Sequence, residues 1–362
     1  MDLQTTDLVL SDVNDSLAIY GSAGDDLFEF ELGQNSLVRI NDQPIRIDLP
    51  EGVEVRFVGG QGDDRLVCSL AGADRDLWMY PHAIRYGEQR TAIYFDSMET
   101  VESVATVFNS NVNLFDSPGD DRYDVFQNQS ILQTPDVSLI ASGFRYGFGR
   151  SRNGQDTAHF HDTELNDRVF TDLDLVLYRS GAVVNRSRGF ADVRVESGVG
   201  NDVHTIQLSA GVTQCVLLDG ETWSVVSAGD RSFEASGAWR CKIKGLPEVV
   251  DAVGIEGGPA VEALTLEGNS GIIVRDGFTC FLESIEQVTA DKGDNDILRV
   301  IDTSGNDVVQ VTGGSVTYSG DSFTHNVEAF GSLRAFSRNG GSDQAFVGGA
   351  SIPVVLVGDW QQ

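Results

Sequence analysis

Apolar and polar residues alternate in short runs along the chain, and the runs recur. Leu17 and Ile19, Leu66 and Cys68, Val112 and Leu114, Ala158 and Phe160, His204 and Ile206, Leu264 and Leu266, Leu298 and Val300, and Ala345 and Val347 occupy matching places. Residues two apart on a strand share a face, so each pair predicts a half-buried strand. Two residues ahead of each pair stands Asp15, Asp64, Ser110, Asp156, Asp202, Glu262, Asp296 or Asp343. Most of these lie about 46 residues apart, and Glu262 breaks the spacing.

A second aspartate column follows about a dozen residues later, at Asp26, Asp76, Asp121, Asp167 and Asp307, with Thr213 in its place in the fifth repeat. Two residues beyond it, Phe28, Trp78, Tyr123, Val169, Cys215 and Val309 predict another inward column. A Gly-Phe-like mark at Phe144, Phe190, Leu246 and Phe330 precedes the next repeat. Gly, Asn, Asp and Ser turns separate about four short strands per repeat, and no segment carries a 3.6-residue period.

This pattern predicts an all-β fold. A right-handed parallel β-helix, or β-solenoid, would spend two coils of about 23 residues on each repeat; a seven- or eight-bladed β-propeller would spend one four-stranded blade. In-register columns and degenerate units favour the solenoid. Residues 1–16 are then an N-terminal cap or edge strand, and residues 17–344 are tandem repeats. The repeats divide at 17–65, 66–111, 112–157, 158–203, 204–262, 263–297 and 298–344, and 345–362 form a partial repeat or C-terminal cap.

Charge narrows the partners. With 55 acidic against 25 basic residues the net charge is −30, and the lysines are Lys242, Lys244 and Lys292. Such a surface repels nucleic acid and anionic lipid and attracts divalent cations and basic partners, or serves solubility. Cys68, Cys215, Cys241 and Cys280 lie far apart without a C-x-x-C pair, so no zinc or thioredoxin-like motif is suggested, and Cys68 and Cys215 fall in core columns. No apolar run is long enough to span a membrane, and the N-terminus lacks a signal sequence, so a secreted form would already have lost one.

The segment GGQGDDRLV from Gly59 matches the GGxGxDxUx calcium nonapeptide at every defined position, and GSAGDDLFE from Gly21 misses by one. Here the chain resembles the repeats-in-toxin calcium-binding family. That resemblance implies calcium ligands at Asp64 and Asp26, where tight glycine turns aim carbonyl and carboxylate oxygens at the ion. Family repeats follow one another every nine residues, whereas these turns come singly or in pairs. Extending the reading to both columns gives Asp26, Asp64, Asp121, Asp156, Asp167, Asp202, Asp296, Asp307 and Asp343 as candidate calcium ligands. Doubled carboxylates at Asp25/Asp26, Asp63/Asp64, Asp120/Asp121 and Asp294/Asp296 point the same way. The alternative is that they are turn residues bonding their own backbone.

The repeat as a whole, with LFDSPGDDRY and the RNGGSDQA type of turn, is similar to tandem repeats of large extracellular bacterial proteins. That implies a secreted or cell-surface module with a structural, adhesive or matrix role, whose partners are surface glycans or proteins. The alternative from another class is a polysaccharide lyase or glycoside hydrolase on a β-helix scaffold. Carboxylates are too plentiful to single out a catalytic pair. One compact constellation, AHFHDTE, sets His159 and His161 on one strand face beside Asp162 and Glu164, a pattern that chelates a transition metal or simply faces solvent. Arg145, Arg150 and Arg152, interleaved with Phe144, Tyr146 and Phe148, suit an acidic glycan or internal packing. No Walker loop, dinucleotide fingerprint, G-x-S-x-G elbow or HExxH helix is present.

Overall fold

Alternating patterns bounded by turn residues can form only short strands, and such strands need neighbours to satisfy their backbone groups. A computed structural model describes residues 16–32, 37–46, 54–70, 76–87, 91–210, 212–218, 222–227, 231–246, 248–257, 262–291 and 295–362. Every regular element among them is a strand. The expected cap before Ser16, with Asp15, lies outside the described residues, as do Lys292 and Asp294. The chain forms two compact units, Met1–His161 with Leu177–Val193, and Asp162–Val176 with Arg194–Gln362.

In the first unit, a repeat consists of five strands shared between two sheets. Asn111–Phe115 and Tyr146–Arg150 stack in parallel in one sheet, while Arg122–Val125, Gln129–Gln133 and Ser138–Ser142 form an antiparallel meander in the other. The preceding repeat is turned over: its single strands Arg65–Leu70 and Thr100–Ala105 pair in the sheet that holds the later meander. Its own meander, Asp76–Tyr80, Ala83–Tyr86 and Thr91–Asp96, lies in the opposite sheet. Each meander also runs backwards along the stack. Ser138–Ser142 pairs with Thr100–Ala105 behind it, and Arg122–Val125 pairs with Thr157–Phe160 ahead.

The second unit repeats the arrangement. Val203–Gln207 and Arg240–Lys244 pair in one sheet, with the meander Val212–Leu218, Thr222–Ser227 and Ser232–Ser236 in the other. The next repeat exchanges the roles, with Ala252–Glu256 and Gln287–Asp291 as single strands and Ala263–Glu267, Ser270–Arg275 and Phe278–Glu283 as meander. Ile297–Ile301 and Ser332–Ser337 then flank the meander Val308–Thr312, Ser315–Gly320 and Phe323–Glu328. Gln344–Gly348 and Val354–Gly358 add one further strand to each sheet.

The protein is a β-solenoid. Parallel ladders join successive repeats throughout both units, whereas propeller blades pair their strands antiparallel within each blade. Its winding differs from the expectation of roughly 23 residues per coil. Bonds from the column aspartates to the next coil join residues 34 to 38 apart, because a meander is folded into each repeat. One repeat boundary also moves. Asp251, directly before Ala252–Glu256, takes the leading place assigned to Glu262, and Glu262 takes the second place, before Ala263–Glu267. The spacing around Asp251 is then regular.

The inward columns meet between the sheets. Leu66, Val112, Leu114, Ala158, Phe160, Ile206, Leu298 and Val300 are buried, as are Phe144, Phe190 and Phe330 of the Gly-Phe mark and all four cysteines, which are free thiols. Large and small residues interlock across the gap. Gly149 faces the buried Tyr123, and a Cβ there would come within 2.6 Å of the ring. One expected column fails at Trp78. In that repeat Leu77 and Met79 point inward and Trp78 faces out, because a one-residue slip of a strand exchanges its two faces.

Candidate functional site

All nine predicted aspartates are buried, none more than 3% exposed. They are bonded to backbone of the neighbouring coil. The amide of Asp26 donates to Asp64 Oδ1 at 2.8 Å, that of Asp121 to Asp156 at 2.7 Å, that of Asp167 to Asp202 at 2.7 Å and that of Asp307 to Asp343 at 3.1 Å. Asp296 accepts in the same way from the amide of Glu262 at 2.8 Å. The second column thus supplies amides and the first column carboxylates.

The residue before Asp26, Asp121, Asp167 and Asp307 returns the bond. Asp25 Oδ1 accepts from the Asp63 amide, Asp120 from Gln155, Asn166 from Asn201 and Asn306 from Ser342, at 2.8–2.9 Å. Doubled carboxylates and Asn-Asp dipeptides therefore form reciprocal clamps between coils. Second-column carboxylates cap their own turns, as when Asp26, Asp121 and Asp307 accept from the amides of Ser22, Ser117 and Thr303. Sequence reasoning missed three members of this system. Asp251 is passed over for Glu262 although Val253 and Ile255 follow it at the usual places, and Glu99 and Glu286, which accept the Asp64 and Asp251 amides, are glutamates outside the aspartate columns.

Burial has an electrostatic cost here. It pushes the carboxyls of Asp64, Asp121, Asp156, Asp251 and Asp307 above the usual carboxylate range, and that of Asp202 up to about 6, despite the opposing backbone bonds. One corner concentrates the charge. Asp116, Asp121 and Asp156 bring one oxygen each within 4.8 Å of one another. Asp116 Oδ2 also accepts from the amides of Arg152 and Asn153, whereas the buried Asp156 Oδ2 has no hydrogen-bond partner.

A different surface lies on the outer face of the sheet that holds Asn111–Phe115. The strands Asp76–Tyr80, Asn111–Phe115, Tyr146–Arg150 and Val183–Arg188 run side by side there and form a groove. Register sets Asn113 between Trp78 and Phe148, and Asn111 between Asp76 and Tyr146. The Arg150 guanidinium stacks over Phe148 at 4.0 Å and reaches Asn113 Oδ1 at 3.3 Å. Arg145 stacks on Tyr146 and Phe108, and Arg152 on Phe115. The basic cluster is thus laid along aromatic rings at the edge of the groove. The outward placement of Trp78 adds its ring to those of Tyr146 and Phe148 in the groove.

His159 and His161 do share an outward face, but their carboxylate partner is Asp124 of the adjacent strand, with His161 Nε2 2.9 Å from its Oδ1. Asp162 instead accepts the amide of Val199. Among the described residues no helix is long and apolar enough to cross a membrane. Compared with known proteins, the chain matches no family model and no curated sequence.

Proposed function

We propose that this chain is an extracellular structural and adhesive module, a β-solenoid that offers its aromatic groove to surface or matrix glycans. The observation that carries this reading is the strip of Trp78, Tyr146 and Phe148 alternating with Asn111 and Asn113. Aromatic faces stack on the C–H faces of sugar rings, and amides bond hydroxyl groups in both directions. Hydrolysis of a glycosidic bond ordinarily uses two carboxyl groups, whereas among the described residues Asp76 brings the groove lining a single one. That supports binding rather than turnover. The test is an oligosaccharide array followed by calorimetry on a retained sugar. Trp78→Ala should weaken binding by about 2 kcal/mol, roughly 30-fold in Kd. Failure of the wild-type chain to retain any glycan, or an unchanged affinity in the variant, would sink the reading.

A second reading, calcium, is favoured at one corner. Ca²⁺ takes oxygen ligands at about 2.3–2.6 Å, so oxygens up to roughly twice that distance apart share one ion. The Asp116, Asp121 and Asp156 oxygens meet this condition, and an ion would supply a partner for Asp156 Oδ2 and relieve the mutual repulsion. Chelation should lower the melting temperature by several degrees, calcium should restore it, and Asp116→Asn should abolish the response. A melt indifferent to both treatments would remove calcium from the account.

A further inference from the structure

The strand Thr157–Phe160 turns Ala158 and Phe160 into the core, so His159 and His161 project from the opposite face. Asp124 stands directly across from His159 in the parallel ladder. Its Oδ1 lies 2.9 Å from His161 Nε2 and 3.9 Å from His159 Nδ1, and the two imidazole centroids are 3.9 Å apart. Ligand atoms about 2.0–2.2 Å from a tetrahedral metal are about 3.3 Å from one another, and the two measured spacings bracket that value.

We propose that Asp124, His159 and His161 form a binding site for a divalent transition-metal ion that prefers imidazole, such as zinc or copper. Two nitrogens and one carboxylate oxygen suit these ions and poorly suit calcium, which takes oxygen shells. The surroundings hold the ligands in place. Arg122 bonds both oxygens of Asp124, with Nε 2.7 Å from Oδ2, and orients the carboxylate from behind. Phe126 stacks on His161 at 4.3 Å with an interplanar angle of 5°, fixing the plane of that ring. The imidazoles remain 21% and 25% exposed, so an ion bound here keeps positions open to water or to an external ligand. In the metal-free chain His161 Nε2 and Asp124 Oδ1 share a hydrogen bond across the ion's place, and binding replaces it.

The test is a cobalt(II) titration of the full chain in metal-free buffer at neutral pH, with calcium in excess to fill acidic sites. The wild type should bind one equivalent in the micromolar range, give visible d–d bands, and melt at a higher temperature when loaded. His161→Gln and His159→Gln should each weaken binding at least about 100-fold, beyond what loss of an outer-shell partner costs. Both side chains lie outside the core, so unchanged far-ultraviolet dichroism and an unchanged metal-free melt show that the variants fold. Wild-type affinity in His161→Gln, or no micromolar binding by the wild type, would overturn the proposal. Asp124→Asn should reproduce the histidine variants, and its retention of full affinity would remove Asp124 from the site.

Discussion

Replacing Tyr123 with alanine should lower the stability of the first unit by roughly 3–5 kcal/mol, the usual cost of emptying a large aromatic site in a packed interior. Tyr123 is fully buried, stacks on Phe190 with centroids 5.7 Å apart and meets Phe160 edge-on at 6.4 Å. Its ring fits because Gly149, on the opposite sheet, has no side chain. Gly149→Ala alone should cost about 1–3 kcal/mol through overpacking. In the Tyr123→Ala background the added methyl enters vacated space, so the double variant should be more stable than the sum of the single effects by at least about 1 kcal/mol. Urea unfolding of the four proteins measures this coupling. Additivity within about 0.5 kcal/mol would mean that the ring does not rest on the glycine.

The second unit should show an acid response traceable to His204. Its imidazole sits in an apolar column between Val169 and Cys241 of the neighbouring strands, fully buried. Ser197 Oγ lies 2.8 Å from Nε2, and Nδ1 has no partner. Burial pushes this histidine down to about 4. A depressed histidine contributes stability that is fully present above its unfolded value near 6.5 and is lost as pH falls through the folded value. The loss amounts to roughly 3 kcal/mol between pH 7 and pH 4.

Asp202 acts with the opposite sign. Burial pushes its carboxyl up to about 6, so its contribution is fully present below the unfolded carboxylate value and is lost as pH rises through about 6. The two effects offset one another in the wild-type curve. The informative quantity is the stability of the wild type minus that of His204→Leu, followed by denaturation from pH 7 to pH 4. His325, whose Nε2 bonds Gly268 O and whose Nδ1 accepts from the Val288 amide, is common to both proteins and cancels. The difference should fall by roughly 3 kcal/mol on acidification; a flat difference would show that His204 titrates normally.

The repeat and its inward faces were legible in the sequence because an apolar period of two and an aspartate ahead of it are local signals. Leu66, Val112 and Ala158 needed only their immediate neighbours to be placed. Trp78 was misplaced because a slip of one residue exchanges inside for outside, and nothing local marks the slip. That error hid the groove. The meanders were illegible for a related reason: Gln129–Gln133 alternates like any other strand, and nothing local says that it runs antiparallel to its neighbours. The two aspartate columns could be seen separately but not joined, since Asp121 bonds Asp156 across 35 residues. Asp124 and His161, 37 residues apart, meet only through the same ladder register.

The turned-over repeat gives the array a parity. A side chain projecting from one sheet in a given repeat projects from the other sheet at the same place in the next, so identical surfaces recur only at every second repeat. Removing a single repeat would invert every surface downstream of the cut, whereas removing two would leave them in phase. Lineages of such arrays should therefore lengthen and shorten by pairs, and a designed array that must present several copies of one groove on one side should be built in steps of two repeats.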